Sequence, residues 1–138
     1  MPTVISVSTS GKGLYEVTAE VQAEIDGMTG VRDGVCTVLT QHTSASLTIQ
    51  ENADPSARRD LEQWLERAVP EDDPAYSHTS EGPDDMPSHI RSMLTGASVV
   101  VPVTNGRLML GTWQGIYLCE HRRMPHLRRL VVAFCPGQ

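Results

Sequence analysis

Positive charge is in short supply: 11 Lys and Arg stand against 17 Asp and Glu in 138 residues, for a net charge of −6. Non-specific binding to nucleic acid depends on basic side chains that neutralise phosphates, so this balance argues against nucleic acid as a partner. No apolar run approaches the roughly 20 residues that cross a bilayer. The start, Met1-Pro2-Thr3-Val4-Ile5-Ser6, has no basic stretch leading into an apolar one, and the expectation is a soluble, cytoplasmic protein with no membrane partner. Cysteine is scarce too. Cys36, Cys119 and Cys135 are odd in number and form no Cys-x-x-Cys pair, which argues against a disulfide framework or a zinc knuckle. Each lies in an apolar strand-like run, so all three read as buried free thiols. Internal repeats and low-complexity segments are absent as well.

What is present suits one domain spanning residues 1–138, with 39% hydrophobic residues to build a modest core. Thr3 to Ser8 alternates apolar and hydroxyl residues as a strand does, and Val17, Val21 and Ile25 recur at helical spacing before Gly27. Gly34 to Leu39 and Ala45 to Ile49 are β-rich and flank His42, which places that histidine at a strand end or in a bulge. The clearest helix follows: Asp54 can cap it, Pro55 suits its first turn, and Leu61, Trp64, Leu65 and Ala68 form an apolar stripe that ends at Pro70. Residues 70 to 86 form one long connection rich in Pro, Asp, Glu, Ser and Gly, and long loops inside small domains tend to be functional.

A further short helix is expected from Pro87, with Ile90 and Leu94 facing inward and Gly96 as its stop. Ser98 to Val103 and Arg107 to Leu110 read as a hairpin, because Asn105-Gly106 supplies the positive φ values of a tight turn. Gly111 to Glu120 and Arg128 to Cys135 complete the set. The sum is about seven strands and three short helices, an α+β domain dominated by antiparallel sheet.

Three of the five histidines sit in runs dense in hydroxyl and carboxylate groups: Gln41-His42-Thr43-Ser44-Ala45-Ser46, Tyr76-Ser77-His78-Thr79 and Asp84-Asp85-Met86-Pro87-Ser88-His89. Imidazole changes charge near neutral pH and is the commonest protein ligand for transition metals. His42, His78 and His89 together can form a three-nitrogen metal site with an open position, or one of them can act as a general acid. Asp84, Asp85 and Glu51 are candidates for orienting the imidazoles or for ligating magnesium directly. Thr43, Ser44 and Ser46 can donate to phosphate oxygens. Arg128 and Arg129 point to opposite faces of a strand, so at most one, taken as Arg129, reaches a site. Asp84-Asp85 serves equally well as the charged start of a helix. Trp113 can stack on a heterocycle or fill a core, and Gln114 can read a donor and an acceptor on that ring or satisfy a sheet edge. Glu120 either pairs with Arg122 or Arg123 at the surface or turns towards the histidines. His121 and His126 read as structural.

Taken in order, His42-Thr43-Ser44-Ala45-Ser46-Leu47 with Glu51-Asn52, His78, Asp84 to His89, Gly106-Arg107-Leu108, Leu110 to Gln114 and Glu120 resemble the YjbQ-like family, also called secondary thiamine-phosphate synthase. The likeness runs from about residue 3 to 135. It implies an α+β fold of packed sheets and a homotrimer with sites where subunits meet. It also implies a transferase that joins hydroxymethylpyrimidine diphosphate to thiazole phosphate with release of pyrophosphate. On that reading the partner is a small phosphorylated heterocycle and the cofactor a divalent metal, zinc or magnesium. His42, His78, His89, Asp85 and Glu51 would be catalytic, and Thr43, Ser44, Ser46, Trp113, Gln114 and Arg129 would hold substrate. Two other classes fit the same residues, a non-catalytic metabolite- or metal-binding trimer and a metal-dependent hydrolase.

Overall fold

Strict alternation shapes the larger of two sheets. In the computed structural model, which describes residues 1–28, 30 and 32–137, strand β5 (Ser98–Thr104) turns Val99, Val101 and Val103 inward and leaves Ser98, Val100 and Pro102 outside. Strand β3 (Gly34–Thr40) buries Cys36 and Val38, and β8 (His126–Pro136) buries Arg128, Leu130 and Val132. With β1 (Thr3–Thr9) and the short β6 (Arg107–Leu108) they form a five-stranded sheet in the order β1-β8-β3-β5-β6. A second sheet runs β2-β7-β4, from β2 (Gly13–Glu16), β7 (Gln114–Glu120) and β4 (Ala45–Glu51). Every paired ladder is antiparallel, and the α+β class expected from the sequence holds.

The two sheets close on one core. Val38, Leu47, Val101, Ile116, Leu118, Leu130 and Val132 belong to it, and Val17, just before helix α1 (Thr18–Met28), joins Val21 and Ile25 on the buried edge of that helix. Helices α2 (Pro55–Ala68) and α3 (Asp85–Thr95) lie against the smaller sheet. Its central strand β7 is therefore buried on both faces: Ile116 and Leu118 join the inter-sheet core, while Tyr117 and Cys119 pack with Leu14 and Leu61. Truncating any such fully buried leucine costs about 2–5 kcal/mol, so the position of β7's last residues, Glu120 and the following His121, is firmly set. Among the described residues no helix is long and apolar enough to cross a membrane.

Several local expectations hold on their physics. Asp54 caps α2 by accepting from Ser56 N at 2.9 Å, with Pro55 in the first turn. Asn105 and Gly106 take φ of 51° and 74°, and the hairpin turns there. Others need correction. The described residues form eight strands, because Gly13–Glu16 forms one. The helix expected from Pro87 starts at Asp85, and the strand expected from Gly111 starts at Gln114, because Gly111 N instead donates to the Gln114 side chain in a tight loop. Trp64, placed on the apolar stripe of α2, is half exposed, and only Leu65 of that helix is buried. Cys36 and Cys119 are buried thiols, both pushed up to about 11 by desolvation, but Cys135 is exposed near the end of β8.

Candidate metal centre

The long connection and the start of α3 converge, and the convergence is anchored from outside. His78 comes from the loop, and Asp85 and His89 are one turn apart on α3, so both face the same way. Asp85 Oδ2 lies 2.8 Å from His78 Nε2 and 3.5 Å from His89 Nε2. The imidazole rings are 5.3 Å apart at an interplanar angle of 54°. One ligand atom from each residue falls within 4.8 Å of the others, close enough for all three to bind one ion. Asp85 is buried while His78 is exposed, so the group opens to solvent on one side.

Hydrogen bonding fixes which atoms are available. His89 Nδ1 lies 3.2 Å from the Thr43 carbonyl oxygen, which can only accept, so Nδ1 carries the proton and Nε2 of the neutral ring keeps its lone pair. That lone pair faces a carboxylate oxygen. Arg122 holds the other end: its Nη1 donates to Asp85 Oδ1 at 2.8 Å and its Nη2 to the Glu81 carbonyl at 2.7 Å, while Nε lies 3.2 Å from Asp84 Oδ2. Arg123 N donates to Asp84 Oδ2 at 2.9 Å. Burial pushes the Asp84 carboxyl up, but the Arg123 amide and the Arg122 guanidinium outweigh it and hold that carboxyl below its usual range. Asp84 makes no side-chain cap to α3. The Asp84-Asp85 pair thus belongs to the site and its support. Arg122 escaped the sequence reading as a site residue, since nothing in the run Glu120-His121-Arg122-Arg123 announces which loop it will meet.

His42 is not part of this group. Its Nε2 accepts the Arg129 backbone N–H at 2.8 Å, which turns the ring towards β8. Desolvation, reinforced by the charge of Arg128, lowers its pKa, so it stays neutral at pH 7. The three histidines expected together do not all meet within the chain: His78 and His89 gather around Asp85, and His42 lies outside that group. Thr43 contributes its carbonyl, which also accepts from Ser92 Oγ, rather than its hydroxyl. The Ser44 carbonyl accepts from His121 N and from Arg128 Nη2. Ser46 is 0% exposed and cannot meet a solute phosphate.

Glu51, Trp113 and Gln114 gather elsewhere. Glu51 pairs in register with Gln114 at the opposite end of β7 from Glu120, about 20 Å away by strand rise. There Glu51 Oε2 accepts Asp54 N at 3.2 Å beside the start of α2, Gln114 closes its own loop, and the Trp113 indole is 65% exposed. None of the three reaches the histidines within the chain. Arg129, taken as the arginine of the site, is exposed, and its neighbour Arg128 is the one turned inward.

Arg128 leads to a second polar cluster that the sequence placed at the surface. Glu120 is 1% exposed, and its carboxylate takes Arg128 Nε at 2.8 Å, Arg128 Nη2 at 2.5 Å, Thr9 Oγ1 at 2.6 Å and Arg122 N at 3.1 Å. Glu120 therefore pairs with neither side chain expected of it. Beside it His121 is buried, with Nε2 at 2.8 Å from Ser46 Oγ. Burial, with Arg91 next in effect, presses the His121 pKa down to about 4. An unfolded histidine near 6.5 binds its proton first as pH falls, so this residue's contribution is intact above pH 6.5 and drains away from there towards about 4. Between pH 7 and 5 the loss is expected to reach about 2 kcal/mol. Urea unfolding of the wild type and of His121→Gln, which keeps a donor towards Ser46, would check it, since the variant should lose much less over the same interval.

An α+β fold of two packed antiparallel sheets, with a histidine pair bridged by one carboxylate at the start of its third helix, defines a small protein built around a candidate metal centre. The chain belongs to the UPF0047 family: the model described as "UPF0047 protein YjbQ-like" matches residues 3–137. A UPF0047 protein of Synechocystis is 50% identical over 129 residues, covering 94% of this chain and 87% of its own. The UPF0047 protein YjbQ of Escherichia coli O157:H7 is 46% identical over 127 residues, covering 92% and 91%. A crystal structure from Clostridium acetobutylicum, described as an uncharacterized conserved protein of the yjbq/upf0047 family, superposes with a TM-score of 0.87 at 36% identity, over 96% of this chain and 99% of that one. These relatives are named for the family alone, and none of the descriptions assigns a synthase or any other catalysis. The thiamine-phosphate synthase activity that the resemblance implied is therefore set aside, as are the catalytic roles attached to it.

Proposed function

We propose that this protein binds a divalent transition-metal ion through His78, Asp85 and His89 and leaves coordination positions open to water or a small ligand. One observation carries the reading: with His89 Nδ1 turned to the Thr43 carbonyl, Nε2 is the ring atom left for a ligand, and it points at Asp85 Oδ2 from 3.5 Å. In the neutral ring that atom is a lone pair, and a lone pair facing a carboxylate oxygen is favourable only with a cation, a metal ion or a proton, between them. His78 shares the same oxygen and completes a two-nitrogen, one-oxygen set. Imidazole donors suit zinc and its neighbours, whereas magnesium prefers oxygen and retains its waters, so zinc fits better than magnesium. Arg122 supports the set by occupying Asp85 Oδ1, leaving a single oxygen for the metal.

Metal titration tests this. Protein made without a histidine tag and stripped with chelator should take up one zinc or cobalt(II) ion per chain. The cobalt form should show the intense visible bands of a low-coordinate nitrogen-oxygen site. Zinc at about 100 times its Kd should raise stability by about 2.7 kcal/mol. Cobalt that keeps its aqueous spectrum, with no zinc retained on desalting, would remove the proposal.

We also propose that the chain assembles as a homotrimer through the outer face of the five-stranded sheet. Val4, Val35, Leu39 and Val100 stand exposed on that face. Val131 lies between Val4 and Leu39 in register, and Pro102 beside Val35, which makes the patch continuous, and such patches mark protein interfaces. Light scattering should give three 15.1 kDa chains, and Leu39→Asp with Val100→Asp should give one. A monomeric wild type would overturn the assembly.

A further inference from the structure

Lys12 sits in the turn between β1 and β2, distant in sequence from the metal centre, and joins three elements. Its ammonium lies 2.9 Å from Glu66 Oε1 on α2 and 2.5 Å from Glu71 Oε2, at the start of the loop that carries His78. The same Glu66 oxygen takes Arg91 Nη1 at 2.9 Å, and Arg91 stands on α3 with Asp85 and His89. One side chain thus ties the loop that presents His78 to the helix that presents the other two ligands. The turn that holds it out is itself braced: Tyr15 Oη donates to the Gly11 carbonyl at 2.8 Å, and Glu62 Oε2 accepts Leu14 N at 2.8 Å.

The loop depends on that tie. Among the described residues, the stretch 70–80 is hydrogen-bonded to residues outside the loop at two side chains, Glu71 and His78. Its other bonds close turns, from Ala75 N and Tyr76 N to Asp73, from Tyr76 Oη to the Pro70 carbonyl and from Gly82 N to the Thr79 carbonyl. Glu71 also meets Arg123, but the Arg123 side chain is 56% exposed and that of Lys12 only 18%, so the Lys12 pair is the better shielded from water and salt. Burial raises the Glu71 carboxyl, yet Lys12, ahead of Arg123, outweighs it and holds that carboxyl below its usual range. Freed at Glu71, the His78 segment would have to be ordered by the ion itself, and the entropy of fixing it would be subtracted from binding.

We propose that Lys12 is a positioning residue of the metal centre, which holds the His78 loop against α2 and α3 at the spacing that lets His78, Asp85 and His89 close on one ion. The inference rests on the metal reading above. Lys12 acts through Glu71, and the sign of its effect is diagnostic. Removing a positive charge near a bound cation strengthens binding by simple electrostatics, whereas losing the anchor weakens it.

Lys12→Met keeps the apolar stem and leaves Glu66 with Arg91 and Glu71 with Arg123, so neither acid is left without a partner. Zinc affinity of the full chain, made without a histidine tag and measured by chelator competition, should fall about tenfold. In a His78→Ala background the same substitution should have no further effect, because the loop then carries no ligand. In metal-free protein the Tyr76 and Gly82 amides should exchange faster in Lys12→Met than in the wild type, with β3 and β8 unchanged. If Lys12→Met fails to fold, Glu71→Gln, which leaves Lys12 on Glu66, carries the test, and its loss of zinc must likewise vanish in His78→Ala. A wild type that takes up no zinc removes the metal reading and this inference with it. Where the wild type does bind zinc, three results overturn the positioning role alone: Lys12→Met binding as tightly or tighter, a loss that persists undiminished without His78, or loop exchange that matches the wild type.

Discussion

Arg128→Met is expected to destabilise the fold by about 3–5 kcal/mol, a large part of the roughly 5–15 kcal/mol that domains of this size possess. The reason is the carboxylate it would abandon. Glu120 is 1% exposed, and burial alone would raise its pKa; the Arg128 guanidinium first, then the Thr9 hydroxyl and the Arg122 amide, bring it below the usual range. Without Arg128 the desolvation penalty is no longer outweighed, and the folded-state pKa of Glu120 rises above its unfolded value. The variant is then favoured where Glu120 is protonated and loses that advantage as pH increases through the raised pKa. The deficit relative to wild type should thus be larger at pH 7 than at pH 5 in paired urea unfolding curves. Glu120→Gln combined with Arg128→Met should recover much of the loss, since neutralising both partners leaves no buried charge. A deficit below 1 kcal/mol at pH 7 would mean that the pair is solvated.

Much of this architecture was legible because one physical rule acted on each segment. Alternation in β5 and β3, the capped helix after Asp54 and the Asn-Gly turn are decided by residues within a few positions of one another, and local rules suffice for them. Gly13–Glu16 was not readable, because four residues beginning with glycine carry no period; pairing with β7 makes them a strand. The same dependence on distant partners explains Glu120 and Arg128. They are eight residues apart on neighbouring strands of different sheets, and no sequence pattern says that β7 and β8 bring them face to face.

The site divides along similar lines. His78, Asp85 and His89 stood out by composition, and two of them are joined by helical spacing, so their proximity follows once α3 forms. His42 stood out for the same compositional reason, and chain proximity even brings the Thr43 carbonyl to His89. What composition could not reveal is the direction of its ring, which depends on an unpaired backbone N–H at Arg129 across the sheet. Trp113 and Gln114 were drawn in by the motif they share, yet β7 is a rigid strand and places them at its far end from Glu120.

Asp85→Asn separates the proposed centre from the one read off the sequence. Asparagine keeps the shape of the side chain and an oxygen for Arg122 Nη1, so the start of α3 should remain folded, but it replaces the anionic Oδ2 shared by His78 and His89 with a neutral amide. Altering groups that merely support a metal ligand already costs about 10–100-fold in affinity, so removing a charged ligand is expected to weaken zinc by about a hundredfold or more. His42→Ala provides the contrast. Its Nε2 is committed to the Arg129 amide, and if two histidines and Asp85 hold the ion, zinc affinity should change by less than about threefold. The alternative, three imidazoles sharing the ion, requires His42→Ala to be as damaging as His89→Ala. Competition titrations against a chromophoric chelator, run on the three variants beside the wild type with circular dichroism to establish folding, distinguish the two outcomes. Equal losses for His42→Ala and His89→Ala would restore the three-histidine centre and overturn the assignment of Asp85 as its third ligand.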